Sequence, residues 1–283
     1  MPNEATTSLT ITVDVVCPGQ PDQDRRRTVI GRAGEMPIGE LKLTIVHNKL
    51  IRIEAIEVTD QHDYPQVAAL LIDRARSWYS GTVVEASIWD RHDDARLRAV
   101  LESQGFEMYI EKVYVERAIA GYKSPYHSAL SFRSLAELGA GPFVKTLARI
   151  YQDDRCRDAR PDDPEGDFQG MIEYAGPAFN AATWKLALLE EDIVGLILPQ
   201  AYHDRLDRGT LFYMGIVPEF RGRNWAKILH ADGLEFLASA GATTYIGSTD
   251  IINLAMLRVF AENGCEQTGV RRLYRPAALK VVD

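Results

Sequence analysis

From Ser8 to Val58 apolar and polar residues alternate in short runs, LTITVDVV, ELKLTIVHN and LIRIEAIEV, separated by Pro, Gly and Asn. A period of two puts alternate side chains on opposite faces, so this region predicts antiparallel strands. The period then changes. YPQVAALLIDRARSWY carries apolar residues at helical spacing with a proline near its first turn, TVVEASIW is a β-branched apolar run, and DARLRAVLESQGF is a second helical pattern stopped by Gly105. EMYIEKVYVERA closes the half as one or two strands.

Between Ala120 and Ser134 sustained periodicity disappears, which marks a linker. Beyond it the order of elements repeats. PFVKTLARIYQD reads as a helix, and DDRCRDARPDDPEGDFQG, dense in Asp, Arg, Pro and Gly, reads as a loop. ATWKLALLEEDIVGLILPQAYH predicts two strands around a Glu-Glu-Asp turn, and TLFYMGIV a third. NWAKILHADGLEFLASAG is a helix ending at Gly241, TTYIGSTD a strand, LAMLRVFAENG a helix closed by Gly264, and GVRRLYRP a last strand. The division expected is a domain over 1–120, a linker over 121–134 and a domain over 135–283, since domains cluster near about 100–150 residues.

Composition narrows the partners. Of 283 residues 46% are hydrophobic and 25% charged, enough to bury a core in each half, and the net charge of -8 opposes nucleic acid and anionic lipid. No run approaches the roughly 18 apolar residues of a membrane helix, and MPNEATTSLTITVDV lacks a basic segment before an apolar one. A cytoplasmic protein is the expectation. Cys17, Cys156 and Cys265 show no C-x-x-C spacing and the histidines no H-E-x-x-H, so neither a disulfide framework nor a metal site is indicated.

The most specific local signal is GIVPEFRGRNWAKIL, where an apolar strand ends at Pro218 and a helix begins a few residues later. A helix start offers unpaired N–H groups and a positive dipole end, and Gly222 allows close backbone approach, so a pyrophosphate fits here with Arg221 and Arg223 adding charge. A plain strand-to-helix connection with surface arginines is the competing reading. In sequence the turn resembles the acyl-CoA signature of the GCN5-related N-acetyltransferases, an apolar strand, V-x-P, then [Q/R]-x-x-G-x-[G/A]. Here Ile216, Val217 and Pro218 are followed by Arg221, Gly222, Arg223, Asn224, Trp225 and Ala226, with Lys227 next. Asn224 stands where the family usually has glycine; asparagine tolerates left-handed backbone angles. A second family pattern, N-x-x-A-x-x-x-Y-x-x-x-G-F, is matched in spacing by Asn253, Met256, Phe260, Gly264 and Cys265, with Phe260 replacing the tyrosine that protonates the leaving thiolate in many members.

The resemblance implies an α/β (α+β) fold of two tandem domains, each a mixed, mostly antiparallel sheet flanked by helices, with acetyl-CoA or another acyl-CoA as co-substrate. It implies acetyl transfer to a primary amine of a small molecule, possible without metal. Backbone N–H groups near Gly215 and Ile216 would meet the thioester carbonyl and pantetheine, and Asn253 the pantetheine arm. The strand 209–217 holds no carboxylate, so Tyr213 and Asp250 are the candidates for proton handling, against the alternatives that Tyr213 packs in the sheet and Asp250 caps a turn. The acid-rich stretch from Tyr151 to Tyr174 suits a cationic amine or is a solvated loop. In the first half AIEVTDQHDYPQVAALL aligns with the signature, but Asp60, Asp63 and Tyr64 take the places of Pro218, Arg221 and Gly222, so that copy is expected to bind no coenzyme A. An acyl-CoA-binding sensor without turnover is the alternative function.

Overall fold

The computed structural model describes residues 11–16, 26–47, 50–79, 81–92, 94–127, 129–152, 162–202 and 205–277. They form two compact units, residues 1–111 with 271–283, and residues 112–270. Among them no helix is long and apolar enough to cross a membrane. Cys17 and Cys156 lie outside the described residues, and Cys265 is a free, half-buried thiol.

The first unit is built on strands β1 (Ile11–Val16), β2 (Arg26–Ala33), β3 (Met36–His47), β4 (Leu50–Val58) and β5 (Val83–Trp89). Neighbours β1 to β4 pair antiparallel, as the alternation predicts, and β4 runs parallel to β5. Helices α1 (Tyr64–Trp78) and α2 (Ala95–Ser103) cover the sheet. The α1 helix starts where Asp63 accepts the Gln66 N–H, and it buries Val67, Ala68, Leu71, Ile72 and Ala75. Those side chains meet Ile38, Leu41, Ile51 and Ile53 in one core. Each fully buried Leu or Ile stabilises the fold by roughly 1.5–3 kcal/mol.

Strand β6 (Phe106–Ala118) begins in the first unit and continues into the second. There β7 (Leu130–Ser134), α3 (Leu135–Leu138), α4 (Ala140–Tyr151), α5 (Pro164–Ala175), β8 (Lys185–Leu189), β9 (Asp192–Ala201), β10 (Arg208–Ile216), α6 (Trp225–Ser239), β11 (Thr244–Asp250) and α7 (Leu254–Glu262) follow, then β12 (Glu266–Pro276). Lys112–Ala118 of β6 pair antiparallel with β11, and the sheet runs on through β10, β9, β8 and β7. Arg271–Tyr274 of β12 pair with β5 in the first unit.

The units therefore differ from the expected halves. The last strand of each sequence half crosses over, residues 112–120 lie in the second unit and 271–283 in the first. The expected linker is also shorter, because its end is β7, paired with β8. The predicted loop 153–170 ends as helix α5. Asp163 caps it by accepting the Gly166 N–H, Pro164 opens it, and Glu165 and Asp167 stand in its first turn. An Asp cap, a Pro at the first position and acids in the first turn all favour a helix start.

Two apolar clusters cover the faces of the second sheet. One joins Leu229, Leu234 and Leu237 of α6 and Phe260 of α7 to Val113, Ile197, Leu211 and Tyr245. The other joins Phe143, Leu147 and Ile150 of α4 and Phe168 of α5 to Trp184, Leu186, Leu196 and Leu198. β9 is buried from Val194 to Gln200 because it is covered on both faces.

Candidate functional site

Strands β10 and β11 are paired only at their starts, Arg208 with Thr244 and Gly209 with Tyr245. Beyond that point β10 follows β9 as far as Ile216, while β11 follows β6 as far as Asp250, so the two parallel strands part into a wedge. On β10 two residues, Phe212 and Tyr213, stand opposite the single Leu198 of β9, a β-bulge between Leu211 and Met214. The bulge turns both aromatic rings toward α4 and α5: Tyr213 meets Tyr151 edge-on at 5.8 Å, and Phe212 lies 5.3 Å from Tyr174. Val217 N–H donates to Val194 O on the β9 side. By strand alternation Gly215 faces β9 as well, and Ile216 presents its N–H and carbonyl to the wedge.

The turn after β10 leads into α6 through two left-handed residues, Gly222 at φ 75° and Asn224 at φ 63°. Asn224 is the helix N-cap, yet its side chain makes no capping bond, and no acid stands in the first turn. The first helical bond is Ile228 N–H to Asn224 O at 3.4 Å. The preceding N–H groups of Trp225, Ala226 and Lys227 are thus presented without a side-chain acceptor of their own helix. By contrast α1, α2, α5 and α7 are capped by Asp63, Asp94, Asp163 and Asn253. Arg221 Nε donates to Ile216 O at 3.0 Å and its Nη2 to Ile150 O at 2.8 Å, which ties the turn to β10 and to the end of α4. Arg223 is exposed and stacks over Phe220 at 5.6 Å.

The overall fold recurs in solved structures. A GCN5-related N-acetyltransferase from Sphaerobacter thermophilus superposes with a TM-score of 0.64 at 12% identity, over 89% of this chain and 80% of that one. A tandem GNAT protein from the clavulanic acid biosynthesis pathway gives 0.59 at 12% identity, over 90% and 84%. The chain has the tandem GNAT fold. A GNAT-family acetyltransferase from Colwellia psychrerythraea matches at 0.56 and 12% identity, over 88% of this chain and 84% of that one. No protein-family model matches the sequence, and no curated protein does.

Within the GNAT frame several expected site residues are engaged elsewhere. Phe260 is 2% exposed and packs at 5.5 Å on His230 and 6.5 Å on Tyr245, so it is a core residue. Asn253 caps α7, its Oδ1 accepting from Met256 N–H and its Nδ2 donating to Thr249 Oγ1. Asp250 is buried and its Oδ1 accepts the Ile252 N–H, the turn-capping alternative. Lys227 turns from the helix start toward Tyr126 and Glu262, Nζ lying 3.6 Å from the carboxylate, and its pKa is raised chiefly by the hydrogen bond with Tyr126. Gly215 sits tightly against α4: a Cβ there would stand 2.7 Å from Ile150 Cγ2. In the acceptor stretch Asp167 accepts from Tyr151 and Asp163 caps α5; Asp153 and Asp154 fall outside the described residues.

The sequence reading missed a buried polar cluster behind Phe260. Asn263 Nδ2 donates to Lys227 O at 3.0 Å and lies 3.1 Å from His230 Nδ1, so that nitrogen accepts and Nε2 carries the proton toward Tyr245 Oη at 3.3 Å. Burial, with Arg117 adding to it, holds the His230 pKa down to about 3. A polar residue within an apolar helix stripe was the one available signal.

The first unit repeats the wedge without the open helix start. β4 and β5 pair only through Ile53 and Ala86 before parting. Asp63 then places a carboxylate on the α1 amides, where an anion would have to sit.

Proposed function

We propose that the second unit is an acyl-CoA-dependent N-acyltransferase, moving acetyl from acetyl-CoA to a primary amine of a small molecule. The observation that carries this reading is the α6 start, whose amides lack a side-chain cap and lie at the mouth of the β10–β11 wedge. The helix amides and dipole, with Arg223 beside them, suit the pyrophosphate, and the left-handed Gly222 brings no side chain to the turn. Arg221 acts as the brace that holds this turn. In the wedge the Ile216 N–H is the donor for the thioester carbonyl, worth most as charge develops on that oxygen. The amine nitrogen then attacks the carbonyl carbon, the C–S bond breaks, and the sulfur leaves as thiolate.

The amine approaches along the bulge, between Tyr213 and the α4–α5 pair. A cationic amine must first lose a proton, and its usual pKa near about 10 requires an acceptor. Tyr213 is the side chain nearest that path, and it is packed against Tyr151. The chain's contribution is therefore binding and oxyanion stabilisation more than proton transfer. The burial of Phe260 favours a second reading on the same site, an acyl-CoA sensor with little turnover.

The test is calorimetric titration of acetyl-CoA into wild type and Asn224→Asp, a near-isosteric change that brings a negative charge to the helix start. Binding should weaken at least about tenfold, the scale of a like-charge juxtaposition. Equal affinities, or no binding to wild type, refute the site. Release of coenzyme A thiol with an amine panel then separates enzyme from sensor.

A further inference from the structure

The wedge of the first unit encloses a cavity of about 480 Å³, a size typical of small-ligand sites. It opens where β4 and β5 part after Ile53 and Ala86, with Glu54–Val58 of one strand and Ser87–Trp89 of the other as its walls. Ile56, Ile88 and Leu97, each no more than 5% exposed, and Tyr64 at the start of α1 give it an apolar lining. Across the wedge the two strand edges have no ladder partner, so their carbonyls are open to donors; the Tyr64 hydroxyl already reaches Ile56 O at 3.4 Å.

The rest of the lining is charged, with four carboxylates, Glu54, Glu57, Asp60 and Asp94, and one guanidinium, Arg96. Three of the four acids are matched by a cation within the unit. Glu57 pairs with Lys42 at 2.7 Å, Glu54 accepts from Arg271 and from Ser87 Oγ, and Asp94 caps α2 with Arg96 Nε at 3.5 Å. Asp60 is exposed and has no ion pair or hydrogen bond among the described residues. An anion meets carboxylates on this wall and Asp63 at the α1 amides, so it is repelled. A ligand with several positive charges finds only one unmatched acid. A single ammonium offers three donors, which one carboxylate and the open carbonyls can accept, and the apolar lining takes the body it is attached to.

We propose that the first unit binds a primary amine of single positive charge with an apolar body, the ammonium at Asp60 and the open strand edges, the body against Ile56, Ile88 and Tyr64. The site lies in the unit whose turn rejects anions and does not depend on acyl transfer in the second unit. The first unit thereby has a ligand of its own, opposite in charge to a pyrophosphate.

The experiment titrates phenethylamine into the full chain labelled at isoleucine methyl groups, with phenethyl alcohol, phenylacetate and spermidine as the neutral, anionic and polycationic comparisons. Phenethylamine should shift the Ile56 and Ile88 methyl signals saturably, with an affinity about two- to fivefold above that of the alcohol, the scale of an exposed ion pair. Asp60→Asn, which breaks no contact of the fold, should bring the amine down to the level of the alcohol. Arg96→Gln removes the one lining cation and should raise the amine's affinity. Alcohol or phenylacetate binding as tightly as the amine overturns the proposal, as does an affinity unchanged in Asp60→Asn. Spermidine displacing phenethylamine at lower concentration overturns the single-charge assignment. Shifts confined to Ile150 and Ile216 place the amine in the second unit and overturn the site, and no saturable shift at Ile56 and Ile88 does the same.

Discussion

Between pH 6.5 and 4.5 the second unit should lose about 2–3 kcal/mol of stability through His230 alone, because its pKa falls from 6.5 to about 3 on folding. In the folded state Nδ1 accepts from Asn263 and the ring is fully buried, so the neutral form is required. The unfolded chain binds a proton below pH 6.5 and the folded chain does not until near pH 3, so stability is complete above 6.5 and declines as pH falls toward 3. The limiting loss is ~5 kcal/mol, at 1.36 kcal/mol per pKa unit. Its titratable neighbours stay fixed over this range: burial holds Tyr245 well above its usual pKa and Cys265 at about 11. His230→Gln removes the titration. Urea unfolding at stepped pH, with hydrogen exchange at α6 and β11 amides to read this unit, should show the wild-type stability falling relative to the variant by about 2–3 kcal/mol from pH 6.5 to 4.5. A difference that stays flat refutes the buried-neutral assignment.

Three further perturbations follow from packing. Gly215→Ala drives a Cβ to 2.7 Å from Ile150 Cγ2, an overpacking of about 1–3 kcal/mol, and Ile150→Ala in the same chain should recover part of it in thermal melts; purely additive losses would count against the contact. Phe260→Tyr places a hydroxyl in a site 2% exposed, so the midpoint should drop by the equivalent of about 1–3 kcal/mol with no gain in thiol release; increased turnover would return this position to the active site. A chain stopped after Val270 deletes the strand paired with β5 and the buried Leu273 and Tyr274, so β5 amides should exchange rapidly while β8 and β9 stay protected; unchanged β5 protection would contradict the crossover.

Most elements were legible because their causes are local. The alternation of LIRIEAIEV, the helical spacing of YPQVAALLIDRARSW and the glycines at 105, 241 and 264 act over a few residues, and the structure places strand, helix and left-handed stops there. The Arg221–Ala226 turn was legible for the same reason: an αL position and an open helix start are properties of the segment itself, and Asn224 adopts the left-handed angle its chemistry permits. The α5 helix was hidden because Asp, Pro, Glu and Gly are also loop residues, and the Asp163-Pro164 start weighs little against that composition.

What only the tertiary structure decided are the partners. A period of two states that a strand has faces but not which edge it joins, so EMYIEKVYVERA and GVRRLYRP could be recognised as strands while the crossover of their ends between units could not. The same holds for Phe260, Asn253 and Asp250: their spacing fits a signature, but whether such a side chain meets a ligand or a neighbour depends on groups brought near from distant segments. His230, Tyr245 and Asn263 were scattered polar residues along the chain, and folding turned them into one buried cluster. The sequence by itself determined the elements and the open turn at Asn224; long-range packing decided which side chains remain free to act there.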